Sequence, residues 1–518
     1  MSPADNEEPD LPPAPGDPEA ERIGGLLQAG RFDEAIAALA TRAARTPGDP
    51  APWAALAGAL FAARRPEAAL DAWTRALSIA PSDPVLLCGK ANVLRSLSRV
   101  EEADLLLRQA LAADPGSYDA RFGLALLAVE AGAWDDAEAW VAPLVAAGTD
   151  VAALHWLGAR IALGRRDFAV AGARIAPVLA DGRLGAEQRA DALLLAGEAL
   201  DGLGRAAEAF AAVTEGKGLL RRLYSERAAG REGETARLRR LDAGLAAADP
   251  EPWRTAPPEA PVEGEADGHV FLLGFPRSGT TLLEQALAGH PKVAALEEAP
   301  TLAEAQDRFL NSAAGLERLA RLTEAEARTW RAHYWRTVAA HGIEAPGRLF
   351  LDKAPAGTLW LPLISRLFPR ARVLFALRDP RDVVLSCFRN AFQMNAMTYE
   401  FTTLETTAAC YDAAMALART CRGLLPVPVL EVRHEALVAD FAGGLGEIGA
   451  FLGLKVTPDM LDVAATARRR SVRTPSAGQV RAGLNASGIG RWRAYEAELA
   501  PVLPVLAPWV AGFGYSRD

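Results

Sequence analysis

Small apolar residues return along the first part of the chain at one fixed interval. Ala35, Ala69, Ala103, Ala137 and Ala171 are spaced by 34 residues each, and Pro47, Pro81 and Pro115 keep the same step. In one copy, Trp53, Leu56, Leu60, Ala69, Trp73, Ala76 and Pro81 fill the positions where paired helices touch. Small alanines let two helices approach closely, and a proline ends the second helix because it cannot donate to the backbone ladder. The copies loosen after residue 150, and residues 204–209 read as one more at a longer interval. A helix such as Leu219 to Ala248 reads as a cap over the apolar end of the stack. Residues 249–268 are rich in proline and glutamate and read as a linker. Beyond them the pattern changes. Short apolar runs at 269–273, 348–352, 372–377 and 427–432, separated by helical segments, predict a parallel sheet covered on both faces.

A 34-residue period with this filling resembles the tetratricopeptide repeat. The resemblance implies an all-α solenoid over residues 18–248, offering a concave surface to a peptide or protein partner. A purely architectural or dimerising role stays equally open. Residues 1–17 have little to bury and read as a disordered tail. Composition narrows the classes further. The net charge of −9 argues against a general nucleic-acid binder. The four cysteines show neither metal-ligand nor disulfide-framework spacing, which points to a reducing compartment. Residues 1–21 hold no apolar signal core and no run is long enough to span a bilayer, so the expected location is cytoplasmic.

The chemistry concentrates in two turns of residues 269–518. The run 269–273 reads as a buried strand and 282–289 as a helix. Between them lies Gly274-Phe275-Pro276-Arg277-Ser278-Gly279-Thr280-Thr281. A strand, a glycine-punctuated turn and a helix N-terminus cradle an anion through inward amides and the helix dipole. The glycine spacing is that of a P-loop, but Thr280 stands where a nucleotide hydrolase carries its lysine. The loop's own cation is Arg277. The second turn follows strand 372–377: Arg378 leaves its carboxyl end and Ser386 lies eight residues later. An arginine and a hydroxyl together can hold a second phosphate. The plain alternative is that Arg378 and Arg381 are salt-bridged to Asp379 and Asp382.

FPRSGTT followed by LRDPRDVVLS resembles the sulfotransferase family, over about residues 269–517. The two turns look like that family's 5′-phosphosulfate loop and 3′-phosphate segment. The whole chain then reads as an all-α repeat solenoid followed by an α/β, P-loop-like, parallel-sheet sulfotransferase domain. The arginine-bearing loop and Glu297-Glu298 look most like tyrosylprotein sulfotransferases and bacterial fusions of such domains to tetratricopeptide repeats. The resemblance implies the donor 3′-phosphoadenosine 5′-phosphosulfate (PAPS), no metal, and an acceptor hydroxyl on a protein, peptide or small molecule. It implies donor contacts from Arg277, Ser278, Gly279, Thr280 and Thr281 at one end and from Arg378 and Ser386 at the other. It makes Glu298 the base and gives Lys353 the sulfuryl oxygens or bridging oxygen to contact. His290 reads as a helix-end residue rather than a base. His434 stands where the family carries a tyrosine that helps hold the nucleotide. A basic, glycine-rich stretch from Arg468 to Arg493 matches the region that folds over the cofactor, with Ser487 and Arg491 as its candidate contacts. Two other readings stay open: a repeat-based scaffold with a silent nucleotide-binding domain, and a P-loop nucleotide kinase or hydrolase.

Overall fold

The computed structural model describes residues 17–97, 99–149, 151–470, 483–484, 486 and 488–516. The chain divides into two compact units, Met1–Arg205 and Ala206–Asp518. Among the described residues no helix is long and apolar enough to cross a membrane.

The first unit is built from helices that run from Pro18–Gln28 to Ala186–Gly202. The periodic alanines are its contact points: Ala35, Ala69, Ala103 and Ala137 are 0% exposed and Ala171 is 1%. Pro47, Pro81 and Pro115 each follow the C-cap of a helix, which is Thr46, Ala80 or Asp114. Two residues further, Asp49, Asp83 and Ser117 cap the next helix by accepting hydrogen bonds from its first amides. The tight turns between paired helices need left-handed backbone at positions 30, 64, 132 and 166. Glycine meets that need at 30 and 132, while Arg64 and Arg166 adopt φ of 61°.

The second unit holds a five-stranded parallel sheet in the order β2-β3-β1-β4-β5. The strands are β1 (Gly268–Leu273), β2 (Val293–Glu297), β3 (Leu349–Lys353), β4 (Arg372–Leu377) and β5 (Val429–Arg433). Continuous apolar runs suit strands buried on both faces. One face packs Val270, Leu272, Leu351 and Leu374 against the helices Thr280–Ala288 and Phe441–Leu452. The other carries Phe271, Phe350 and Asp352 toward Tyr334 and Phe368. There a buried polar chain runs from His269 to the Tyr334 hydroxyl at 2.8 Å, and Asp352 accepts from Tyr334 at 2.7 Å and Thr301 at 2.8 Å. Burial pushes the Asp352 carboxyl up to about 6 and holds His269 down near 3, so the imidazole is neutral.

Two stretches read from sequence as array and linker are tied into this second unit. The region expected to form one closing helix is two, Ala206–Ala228 and Glu234–Ala246. Lys217 donates to the Asn390 carbonyl at 2.7 Å, Arg221 to Thr402 at 2.9 Å, and Glu400 accepts from the Thr235 amide at 3.2 Å. The proline-rich stretch 249–268 is anchored. Trp253 is 1% exposed, Arg366 donates to the Pro252 and Thr255 carbonyls, and buried Arg331 donates to the Ala260 carbonyl.

Candidate active site

β1 and β4 are neighbours in the sheet, so the two turns that follow them meet at its carboxyl edge. The first turn passes close under β4: a Cβ on Gly274 would lie 2.7 Å from the Ala376 carbonyl oxygen. Arg277 then adopts φ of 70°, a conformation that costs a non-glycine residue and recurs where a site constrains the chain. Gly279, at φ 95°, opens the helix Thr280–Ala288, and no side chain caps it. Ser278, Thr280 and Thr281 are all buried. The first amides of such a helix N-terminus point toward the turn, the arrangement that favours an anion.

The arginine of the first turn reaches the serine of the second. Arg277 Nε donates to Ser386 Oγ at 3.0 Å, and Arg378 Nη1 donates to the Arg277 carbonyl at 3.2 Å. Arg378 also donates to the Gly488 carbonyl and lies 3.8 Å from Asp382. Its Nε is buried with no hydrogen-bond partner among the described residues. Burial lowers the Arg277 guanidinium to about 10, with Arg378 adding repulsion, and it stays charged at neutral pH. Two mutually repelling buried cations favour an anion between them. Arg381 belongs to another arrangement. It grips Asp379 through Nε at 3.0 Å and Nη2 at 2.7 Å and lies 3.7 Å over the Trp492 ring.

Beside the cradle, in register with β1, β3 ends in Lys353. Its ammonium is 0% exposed and meets Glu298 at 2.7 Å, Glu297 at 3.0 Å and Glu284 at 3.6 Å. Successive strand residues point to opposite faces, so Glu297 and Glu298 should not share a partner. The left-handed backbone of Glu298, φ 49°, breaks that alternation just past β2, and its amide donates to the Lys353 carbonyl at 2.8 Å. Exposure separates the pair: the Glu298 side chain is 47% open to solvent and that of Glu297 is 18%. Burial alone would lower the Lys353 pKa, but Glu284, Glu298 and Glu297 more than offset it, and the net shift is upward.

The remaining candidates are spread around these groups. His434 packs on the first turn, its Nδ1 2.6 Å from where a Gly279 Cβ would stand. Burial, helped by Arg378 and Arg277, lowers His434 to about 4 and keeps it neutral. Arg491 opens the short helical turn Arg491–Tyr495, next to Gly490, whose amide donates to Asp382 at 2.7 Å. Ser487, Arg473 and Arg481 lie outside the described residues. His290 accepts from the Lys292 amide at 3.1 Å, at the end of its helix. Two residues went unnoticed in the sequence. Glu284 is a buried carboxyl group 3.6 Å from Lys353, and its signal was one acidic residue in the apolar stretch 282–288. Lys217 reaches Asn390, whose Nδ2 donates to Ser386 Oγ at 3.2 Å, from a helix read as part of the array.

Two family models match the chain, one in each unit. Residues 269–458 match the model of the sulfotransferase family, and residues 26–87 and 94–161 match that of the tetratricopeptide repeat. The chain therefore joins tetratricopeptide repeats to a sulfotransferase-family domain. An uncharacterized protein of Aquifex aeolicus is 28% identical over 246 residues, which is 46% of this chain and 32% of that protein. The chain thus spans about a third of that relative's length. A putative protein-tyrosine sulfotransferase of Caenorhabditis briggsae is 26% identical over 258 residues, 48% of this chain and 89% of the relative. Among solved structures, a sulfotransferase of Mycobacterium avium is similar at 14% identity with a TM-score of 0.31, covering 67% of this chain and 96% of its own.

Proposed function

We propose that the second unit transfers a sulfuryl group from PAPS to an acceptor hydroxyl, with Glu298 as general base. The observation that carries this reading is the Arg277–Ser386 hydrogen bond, which joins the two anion-binding turns beside the Lys353–Glu298 pair. When bound, the donor supplies an activated sulfuryl group and a 5′-phosphate leaving group. Arg277 and the amides of residues 278–281 bind that phosphate and neutralise its growing charge. Arg378 and Ser386 hold the 3′-phosphate, and neutral His434 lines the first turn beside the nucleotide. Lys353 orients the transferred group. Glu298, the open member of its pair, takes the acceptor's proton while Glu297 keeps the ammonium anchored. The attacking oxygen forms its bond to sulfur as the bond to the phosphate oxygen breaks, and the electron pair leaves with the phosphate. A tyrosine hydroxyl on a protein is the acceptor we favour. It fits the naming of the Caenorhabditis briggsae relative as a putative protein-tyrosine sulfotransferase, and a repeat array able to bind a peptide. The test is calorimetric binding of adenosine 3′,5′-bisphosphate, then transfer of labelled sulfate from PAPS to a cell extract. Glu298→Gln should lower turnover by about 10²–10⁴-fold with donor binding retained. Equal loss of binding and turnover would make Glu298 structural.

A further inference from the structure

Glu284 lies one turn into the helix that follows the anion cradle. Its side chain is 0% exposed, and neither carboxylate oxygen accepts a hydrogen bond from any described residue. Charges surround it instead. Lys353 Nζ is 3.6 Å from Oε2, and Arg470 Nη2 is 3.6 Å from Oε1. Both cations spend their short hydrogen bonds elsewhere: Lys353 on Glu298 and Glu297, Arg470 on the Ala295 carbonyl at 3.0 Å. From β3 the group facing Glu284 is thus Lys353, from the end of β2 Glu297 and Glu298, and from beyond the helix Val463–Arg469 Arg470. Asp459, on the helix Pro458–Leu461 packed against the same element, is exposed.

Fully ionised, this cluster holds three carboxylates against two cations. A buried carboxylate without a hydrogen bond is costly in its charged form, so the cluster favours one extra proton, and Glu284 is its fully buried member with no hydrogen-bond donor among the described residues. We propose that Glu284 is a positioning residue that holds the Lys353 ammonium by charge and takes up a proton when the donor enters. The inference rests on the donor-binding reading above. An arriving anion attracts Lys353 and weakens the counter-charge on Glu284, which then binds its proton more tightly. Burial already pushes this carboxyl up to about 7, so it is partly ionised near neutral pH and able to respond.

The experiment is calorimetric binding of adenosine 3′,5′-bisphosphate in buffers of different ionisation enthalpy. At pH 7.5, about half a unit above the Glu284 value, the wild type should take up a measurable fraction of a proton. At pH 5, where Glu284 is already protonated, that uptake should vanish. Glu284→Gln should lose it at pH 7.5, while ligand phosphates and Asp352 contribute equally to both proteins. Equal uptake by the variant and the wild type, or none by the wild type at pH 7.5, overturns the proposal. Wild type that binds no bisphosphate overturns the functional reading, and this inference with it. A melting series tests the same proton without ligand. The folded-state value lies above the unfolded one, so ionising Glu284 costs stability as pH rises from about 4.5 through about 7. Glu284→Gln, lacking that cost, should melt above the wild type at pH 8 and level with it at pH 4. A lower midpoint for the variant at pH 8 contradicts the assignment.

Discussion

In the repeats, Arg31 pairs with Glu34 at side-chain exposures of 57% and 56%, and Arg65 with Asp33 at 51% and 81%. In the sheet-bearing unit, Lys353 faces Glu284 with both side chains 0% exposed, and Arg381 grips Asp379 at 4% and 10%. Solvated pairs add little to stability because water screens them and ordering two long side chains costs entropy. Buried pairs carry a desolvation penalty that well-packed apolar residues would avoid. The array therefore draws its cohesion from close helix contacts at its alanines. The sheet-bearing unit accepts costly charge, and it sets the Lys353 and Arg381 pairs at the edge where β1, β3 and β4 end.

The contrast can be broken by substitution. The largest expected effect is at Arg381. Arg381→Met leaves Asp379 buried without its bidentate partner and should destabilise the protein by about 3–5 kcal/mol in urea titration. A cost as small as that of a surface pair would erase the distinction. Next comes the array's own currency, volume. Ala103→Leu forces extra methylenes between helices at a position that is 0% exposed, and should cost about 1–3 kcal/mol, read as a lower urea midpoint. A neutral result would mean that the helices can separate freely and that the 34-residue spacing is not a packing constraint. The smallest effect is at Arg64, exposed and in left-handed backbone. Arg64→Gly relieves about 1–2 kcal/mol of strain and loses about 0.5–1 kcal/mol to chain entropy. A slight rise in melting temperature is expected, and a clear fall would show that the side chain itself holds the turn.

Much of the fold was legible because both units rest on local rules. The 34-residue alanine step marks positions that are all buried, and the prolines fall just past helix ends. The apolar runs at 269–273 and 372–377 are strands, and each feeds a polar turn. The candidate residues Arg277, Arg378 and Ser386 do come together, since adjacent strands in a parallel sheet deliver their turns to one edge. Less could be read where local pattern is ambiguous. The helices Ala206–Ala228 and Glu234–Ala246 have the alanine-rich look of the array, yet Lys217, Arg221 and Thr235 bond to the segment 390–402. An amphipathic helix specifies that one face is buried, not against which neighbour.

Sequence alone determined the period of the repeats, the class of the sheet-bearing unit and the two polar turns that follow β1 and β4, because spacing, glycine placement and hydrophobic runs act over a few residues. Tertiary structure decided which charges share a site. Glu284, Glu297 and Glu298 converge on Lys353 only because parallel pairing sets β2 beside β3, a left-handed residue turns Glu298 back, and the helix after β1 crosses the same face. Electrostatic coupling depends on distance and burial through space, and neither is written in the order of residues along the chain.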